Sequence, residues 1–337
     1  MAGSYRRDRP PVGLGPRFAP HSKVRVAFVD FWPGFDPYAY FVPLLRAGPF
    51  NFDVWVVDDK RADIEFHSVF QSRAKFIASR VRGRLRHLVA SRSAVRQSMN
   101  FHSSPGPVRI WFTGENIRPP LGPWSATLSF DPDSKLSSNA YFPLWWQLFP
   151  ELLGRDVDAH PGIVEISRLM PLNMYLAGRL GEAGQRSKFA CAIISNPEPT
   201  RMRAIEALRS LGEVDVFGHR FGKPVKDKYE VFSQYQFAVC FENSLYPGYV
   251  TEKLFDAWGA GCIPLWWGLD RDGVLNSDAY INLASCLGLE DFVARVEDLQ
   301  RDANARDAIS SLPLLSERPS LDPVRALLAE VLIASRD

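Results

Sequence analysis

The stretch "FENSLYPGYVTEKLFDAWGAGCIPLWWG", residues 241–268, decides the fold. It begins polar and turn-rich and ends almost unbroken apolar. With the residues before it, "YQFAVCFEN" (235–243) reads as a buried strand, "SLYPGY" as a loop, "TEKLFDAWGAG" (251–261) as a helix and "CIPLWWG" (262–268) as the next strand. Strand, turn, helix and returning strand make the unit of a parallel sheet. Thr251 stands where an N-cap belongs. A helix start presents unpaired N–H groups and partial positive charge, which suits an anionic phosphate. Lys253 adds a full positive charge in a first turn, where the helix dipole disfavours one, so its placement asks for an anion. Glu252 suits the dipole, and its two acceptor oxygens can also hold a vicinal diol such as a ribose. On the residues alone, a capping Glu252 with a solvated Lys253 is an equally good reading. The apolar face of Leu254, Phe255, Ala257 and Trp258 says that the helix is buried and that its start points at something fixed.

Working outward, the same alternation recurs. "VRVAFVDFW" (24–32), "FDVWVVDD" (52–59), "VRIWFTGEN" (108–116) and "ATLSFD" (126–131) read as strands of one series. "KFACAIIS" (188–195), "EVDVFG" (213–218) and "AYINL" (279–283) join 235–243 and 262–268 in a second. Helical patterns lie at 200–212, closed by Gly212 as a C′ stop, and at 289–302 and 322–335. Strands that end in acidic, Gly or Asn residues and alternate with helices indicate parallel sheets covered on both faces. The fold class is therefore α/β, with two doubly wound domains separated near the loop-like "LLGRDVDAHPG" (152–162). Ligands in such sheets bind beyond the strands' carboxyl ends, and with two domains the natural site is the cleft between them.

The bulk properties agree. The 337 residues suit about two domains, and 46% hydrophobic with 23% charged residues is an ordinary globular mix. A net charge of +2 gives no general reason to expect nucleic-acid binding. Cys191, Cys240, Cys262 and Cys286 form no CxxC pair, and three sit in apolar runs, so a reducing, cytoplasmic setting is expected. Residues 1–22, rich in Pro, Gly and Arg, read as a flexible tail without a signal-peptide core. Residues 72–97 carry eight Lys/Arg and no acid. They read first as a solvated face, and second as a peripheral contact with the anionic inner surface of a membrane. The six histidines show no metal-ligand spacing, and no metal site is expected. In "FDPDS" (130–134), Asp131 and Asp133 form an Asp-x-Asp that reads better as a turn than as a metal-bound nucleotide-sugar motif.

The 241–268 stretch resembles the signature of the α1,3/4-fucosyltransferases, glycosyltransferase family ten. "SNPEPTRMRAIEAL" (195–208) and "FTGENIRP" (112–119) resemble further family segments, in the expected order. The resemblance implies a GT-B fold, two Rossmann-like domains facing a cleft. It implies an N-terminal acceptor domain over 23–158, a C-terminal donor domain over 159–322 and a last helix over 323–337. It implies transfer of L-fucose from GDP-β-L-fucose, with inversion, to a GlcNAc-containing oligosaccharide or lipid-linked glycan of Lewis-antigen type. No cofactor is then required, and a divalent metal would at most stimulate.

By position, Lys253 and Arg201 match the residues on the donor diphosphate, Glu252 the ribose ligand, Tyr249 a donor-pocket tyrosine and Asn243 a nearby polar contact. Glu115 matches the general base. Asp131 lies in a loop that in the family is near the acceptor. Two cations and a helix start can stabilise the charge on a departing GDP without a metal. Another nucleotide-sugar transferase on the same scaffold, or a non-catalytic nucleotide- or glycan-binding protein, are the alternatives.

Overall fold

The structure, a computed structural model, describes residues 18–58, 61–70, 106–120, 122–131, 139–149, 151–153, 171–179, 183 and 186–333. The basic stretch 72–97, Asp133 and most of the 152–162 loop lie outside the described residues.

The first sheet contains β1 (Lys23–Val29), β2 (Asp53–Val56), β3 (Ile64–His67), β4 (Val108–Phe112), β5 (Ala126–Ser129) and β6 (Asn139–Tyr141). The strands are all parallel and run in the order β2-β1-β3-β4-β5-β6. The second holds β7 (Lys188–Ile193), β8 (Val214–Phe217), β9 (Tyr235–Val239), β10 (Ile263–Trp266) and β11 (Ile281–Asn282). These strands too are all parallel, in the order β11-β10-β9-β7-β8. Helices α1 (Phe41–Arg46), α2 (Leu172–Ala177), α3 (Pro199–Leu208), α4 (Lys228–Phe232), α5 (Glu252–Gly259), α6 (Leu289–Arg301), α7 (Ala303–Ser311) and α8 (Asp322–Leu332) pack against them. Two parallel sheets wrapped by helices are the two Rossmann-like domains of a GT-B fold. The strands at 64–67 and 139–141 are too short to give a pattern of their own; neighbours on both sides pull them into the sheet.

The helix expected over 200–212 stops at Leu208, with Arg209 as its cap. Gly212 is not its C′ residue. A Cβ at Gly212 would stand 2.9 Å from the Phe189 ring, so the glycine serves packing. The N-terminal tail is not free up to residue 22. Phe18 donates its N–H to the Leu332 carbonyl at 2.7 Å, bridges to Ile333 and packs edge-on against Phe52. The last helix also departs from a separate C-terminal element. Val324, Leu328, Val331 and Leu332 of α8 are buried in the core of the first sheet, against β5 and β6.

One apolar core runs from the first sheet through Trp145, Trp146 and Phe149 to the face of α5, and a second fills the other side of the second sheet. Phe255 of α5 stacks on Trp145 at 4.6 Å, and Trp258 lies 4.9 Å from Tyr175 of α2. Trp258 also donates its indole N–H to the Leu312 carbonyl at 3.0 Å. Leu254, Phe255 and Trp258 are fully buried, each contributing about 1.5–3 kcal/mol of apolar transfer. The start of α5 is thus held by packing on both sides. The buried thiols are inert: burial pushes Cys191 and Cys240 well up and Cys262 up to about 12. Among the described residues, no helix is long and apolar enough to cross a membrane.

Candidate active site

A cleft of about 210 Å³ opens at the carboxyl ends of β7 and β9. Its polar wall holds Asn196, Arg201, Asn243, Glu252, Lys253 and the Lys228–Asp256 pair. This is where an open parallel sheet places a ligand, beside a helix start.

Thr251 occupies the N-cap position of α5, but its side chain does not cap the helix. Instead the Glu242 carboxylate reaches under the helix start. Its Oε1 accepts the Thr251 N–H at 2.9 Å and its Oε2 accepts the Thr251 hydroxyl at 2.7 Å. Lys253 donates to the same Thr251 oxygen at 3.0 Å and lies 3.5 Å from Glu242. Glu242 has no exposure at all, and burial pushes its carboxyl above the ordinary range against the pull of Lys253.

Burial pulls Lys253 down, but Glu252 and Glu242 outweigh it and hold the ammonium above its usual value. Burial pushes Glu252 up, yet Lys253 and Lys228 together bring it down to about 2, a carboxylate fixed in its charged form. One turn on, Asp256 accepts from Lys228 at 2.7 Å, and burial holds its carboxyl up at about 6 despite that partner.

Arg201 is 1% exposed. Its Nη1 donates to the Asn196 carbonyl at 2.5 Å, and its Nη2 to the carbonyls of Phe241 and Glu242 at 2.6 and 3.1 Å and to Asn243 Oδ1 at 3.2 Å. Burial lowers its basicity, though Glu198 and Glu242 support its charge. The guanidinium therefore shapes the 240–243 turn as well as lining the cleft. Glu198 caps α3 by accepting the N–H groups of Thr200 and Arg201, which aims the arginine inward.

The loop after Asn243 crosses to the first domain. Tyr249, 1% exposed, donates its hydroxyl to Glu115 Oε2 at 3.1 Å. Asn116 donates to Ser244 at 2.5 Å, and Tyr246 donates to Asp131 at 3.0 Å. The Arg118 guanidinium lies 3.4 Å over the Tyr246 ring, and the Tyr141 hydroxyl donates to the Gly248 carbonyl at 3.2 Å. Gly248 has φ +80, and a Cβ there would stand 2.9 Å from the Tyr141 ring and 3.2 Å from the Phe130 carbonyl. Gly248→Ala is expected to cost about 1–3 kcal/mol through backbone strain and to loosen this crossing. Denaturant unfolding checks the cost, and an unchanged midpoint would contradict it.

Comparison with known proteins bears on the same residues. The family model "Glycosyltransferase family 10 (fucosyltransferase) C-term" matches residues 183–307, which include the whole cleft wall. The match falls within the second domain.

The chain is 34% identical over 138 residues to "Alpha-(1,3)-fucosyltransferase FucT" of Helicobacter pylori, covering 39% of this chain and 27% of that protein. It is 34% identical over 115 residues to human "4-galactosyl-N-acetylglucosaminide 3-alpha-L-fucosyltransferase 9", covering 33% of this chain and 31% of that protein. The match thus spans about a third or less of those relatives' length. Solved structures share the fold across both domains. An α1,3-fucosyltransferase crystallised with GDP-fucose aligns with TM-score 0.62 at 17% identity, covering 100% of this chain and 95% of that one. The same enzyme type crystallised with GDP aligns with TM-score 0.63 at 18% identity, covering 96% and 93%.

Within the matched residues, the structure brings Arg201, Asn243, Glu252 and Lys253 into one cleft wall. Tyr249 lies apart from that wall, between the domains, and brings Glu115 to the loop after Asn243. Asp131 is 8% exposed and its carboxylate accepts from Tyr246 and sits 3.8 Å from Arg118, so it braces the two domains. Sequence reasoning passed over Glu242, Lys228 and Asp256. The signal for Glu242 was present: one acid in an otherwise apolar strand end. Lys228 and Asp256 lie 28 positions apart and meet only in the fold. Among the described residues, no group of three or more His, Cys, Asp or Glu side chains is placed to hold a metal ion.

Proposed function

We propose that the chain is an inverting α1,3/4-fucosyltransferase that moves L-fucose from GDP-β-L-fucose to a GlcNAc-containing glycan. The observation that carries this reading is the coincidence of the family 10 match with a cleft whose wall combines Lys253, Arg201 and a buried helix start. In this reading the second domain takes the donor and the first takes the acceptor. Lys253 and the N–H groups at the start of α5 hold the diphosphate, and Arg201 adds charge from the first turn of α3. Glu252, charged at every working pH, accepts the ribose hydroxyls. Asn243 orients the turn beside it.

The acceptor hydroxyl attacks the anomeric carbon opposite the departing diphosphate and gives its proton to Glu115. A single displacement of this kind converts a β-linked donor into an α-fucoside. Tyr249 occupies Oε2 of Glu115, which leaves Oε1 for that proton. No cofactor takes part in any of these steps, and a divalent ion would act only as a stimulant. Calorimetry with GDP and UDP, followed by transfer assays from GDP-fucose to type 1 and type 2 disaccharides, tests the reading. GDP preference with turnover on one disaccharide supports it. UDP preference would point to another nucleotide-sugar transferase, and GDP binding without turnover on any glycan to a binding protein.

Cytoplasmic placement at the inner face of a membrane, through residues 72–97, is a separate part of the proposal. It is what brings the enzyme to a lipid-linked acceptor. Sedimentation with anionic liposomes at low salt tests it, and absence of binding removes it.

A further inference from the structure

Lys253 already has partners in the cleft wall. Its ammonium donates to Thr251 Oγ1, whose hydroxyl donates in turn to Glu242 Oε2. The chain of donors runs inward, from the cleft wall to a carboxylate with no exposure. An incoming diphosphate reverses the demand. It draws Lys253 and any free hydroxyl outward and brings negative charge close to a buried anion. Two negative groups that share one cation in a dry site cannot both stay ionised cheaply.

We infer that Glu242 is a positioning residue for Lys253 that takes a proton from solvent when an anionic diphosphate enters the cleft. The inference rests on the reading of the cleft as a nucleoside-diphosphate site. Once protonated, Glu242 donates to Thr251 Oγ1. The Thr251 hydroxyl is then free to turn outward and donate to a phosphate oxygen beside Lys253. The two-link chain thus reverses direction without moving the backbone, and one proton crosses from water to the protein.

The surroundings of Glu242 favour this group as the acceptor of the proton. From α5 it faces Thr251, Lys253 and the charged Glu252. From α3 it faces Arg201, which bonds the Glu242 carbonyl and not its carboxylate. From β10 the Trp266 indole N–H lies 3.5 Å from Oε1. Two residues before it, just past β9, stands the thiol of Cys240, and beyond the loop Tyr249, both neutral. Lys253 is thus the cation closest to the carboxylate, and it is the one the diphosphate engages. Glu252 is held ionised by Lys228 as well, so it does not compete. Asp256 is the rival, since it lines the same cleft and is also held up in pKa. Asp256 has a counter-ion of its own in Lys228, at 2.7 Å, and does not depend on Lys253 as Glu242 does.

The test is titration calorimetry of the full chain with GDP-fucose at neutral pH, in two buffers of very different ionisation enthalpy. The diphosphate of GDP-fucose is esterified at both ends and carries no titrating proton there, so any proton counted belongs to the protein. The expected result is uptake of about one proton per donor bound, with affinity weakening by up to about tenfold per pH unit as pH rises. Glu242→Gln keeps an oxygen for the Thr251 N–H and presents an amide N–H to the Thr251 hydroxyl, as the protonated acid does, but cannot take a proton, and is expected to abolish the uptake and flatten the pH dependence. Asp256→Asn is expected to leave the uptake in place. Binding by the natural chain with no proton uptake overturns the inference, and so does uptake that survives Glu242→Gln or disappears in Asp256→Asn. Should Glu242→Gln not fold, the natural chain and Asp256→Asn decide the matter. A chain that binds no GDP-fucose at all instead contradicts the donor assignment.

Discussion

Glu115→Gln is expected to slow fucosyl transfer by about 10²–10⁴-fold while leaving affinity for GDP unchanged. The amide has nearly the shape of the carboxylate. Its carbonyl oxygen can still accept the Tyr249 hydroxyl that meets Glu115 at 3.1 Å, so the crossing between the domains survives. What is lost is the ability to take a proton from the acceptor hydroxyl. The separation of effects makes the result informative: rate falls, donor binding does not. Single-turnover assays with saturating donor measure the first, and calorimetry with GDP the second. Weakened GDP binding with undiminished transfer would remove Glu115 from the role of base.

Lys253→Ala is expected to act on both quantities. Its ammonium stands over the start of α5, 3.0 Å from the Thr251 hydroxyl and within 4 Å of Glu242 and Glu252. Removing it takes away the nearest cation from a departing diphosphate, for an expected loss of about 10²–10³-fold in kcat/KM. It also leaves the buried Glu242 carboxylate without its counter-charge, which destabilises the fold by up to about 3–5 kcal/mol unless Glu242 takes a proton. Thermal unfolding reads that second effect. A folded variant with natural GDP affinity would exclude Lys253 from the phosphate site.

Much of this architecture is legible in the residues. The apolar, β-branched strands of the sheet centres announce themselves because both faces are buried, as at Ile110 or Ala190. The run from 241 to 268 places a strand, a loop and a buried helix without ambiguity, and the helix start follows from it. The losses are of two kinds. Short strands such as Asn139–Tyr141 have no periodicity, since their place is fixed by hydrogen bonds from Thr127 and Ser129 to Asn139 and by the neighbouring β5. The partner of the α5 cap is the second kind: Thr251 takes the N-cap position that local preference gives it, but the carboxylate that accepts its N–H stands nine residues earlier and arrives only through the fold. The brace at Asp131 is hidden for a similar reason. Nothing in "FDPDS" reveals that Tyr246, 115 positions away, will donate to it.

The return of α8 to the first sheet has a consequence for how the chain is made. Val324, Leu328 and Val331 cover strands whose last member ends at Tyr141. On a ribosome adding about 5–20 residues per second, that covering helix emerges roughly ten to forty seconds after the sheet it belongs to. Until then the first-made half of the molecule waits with an apolar face uncovered, while the later-made half already has its own second core. Vectorial synthesis therefore completes the two halves in the reverse of the order in which they are begun.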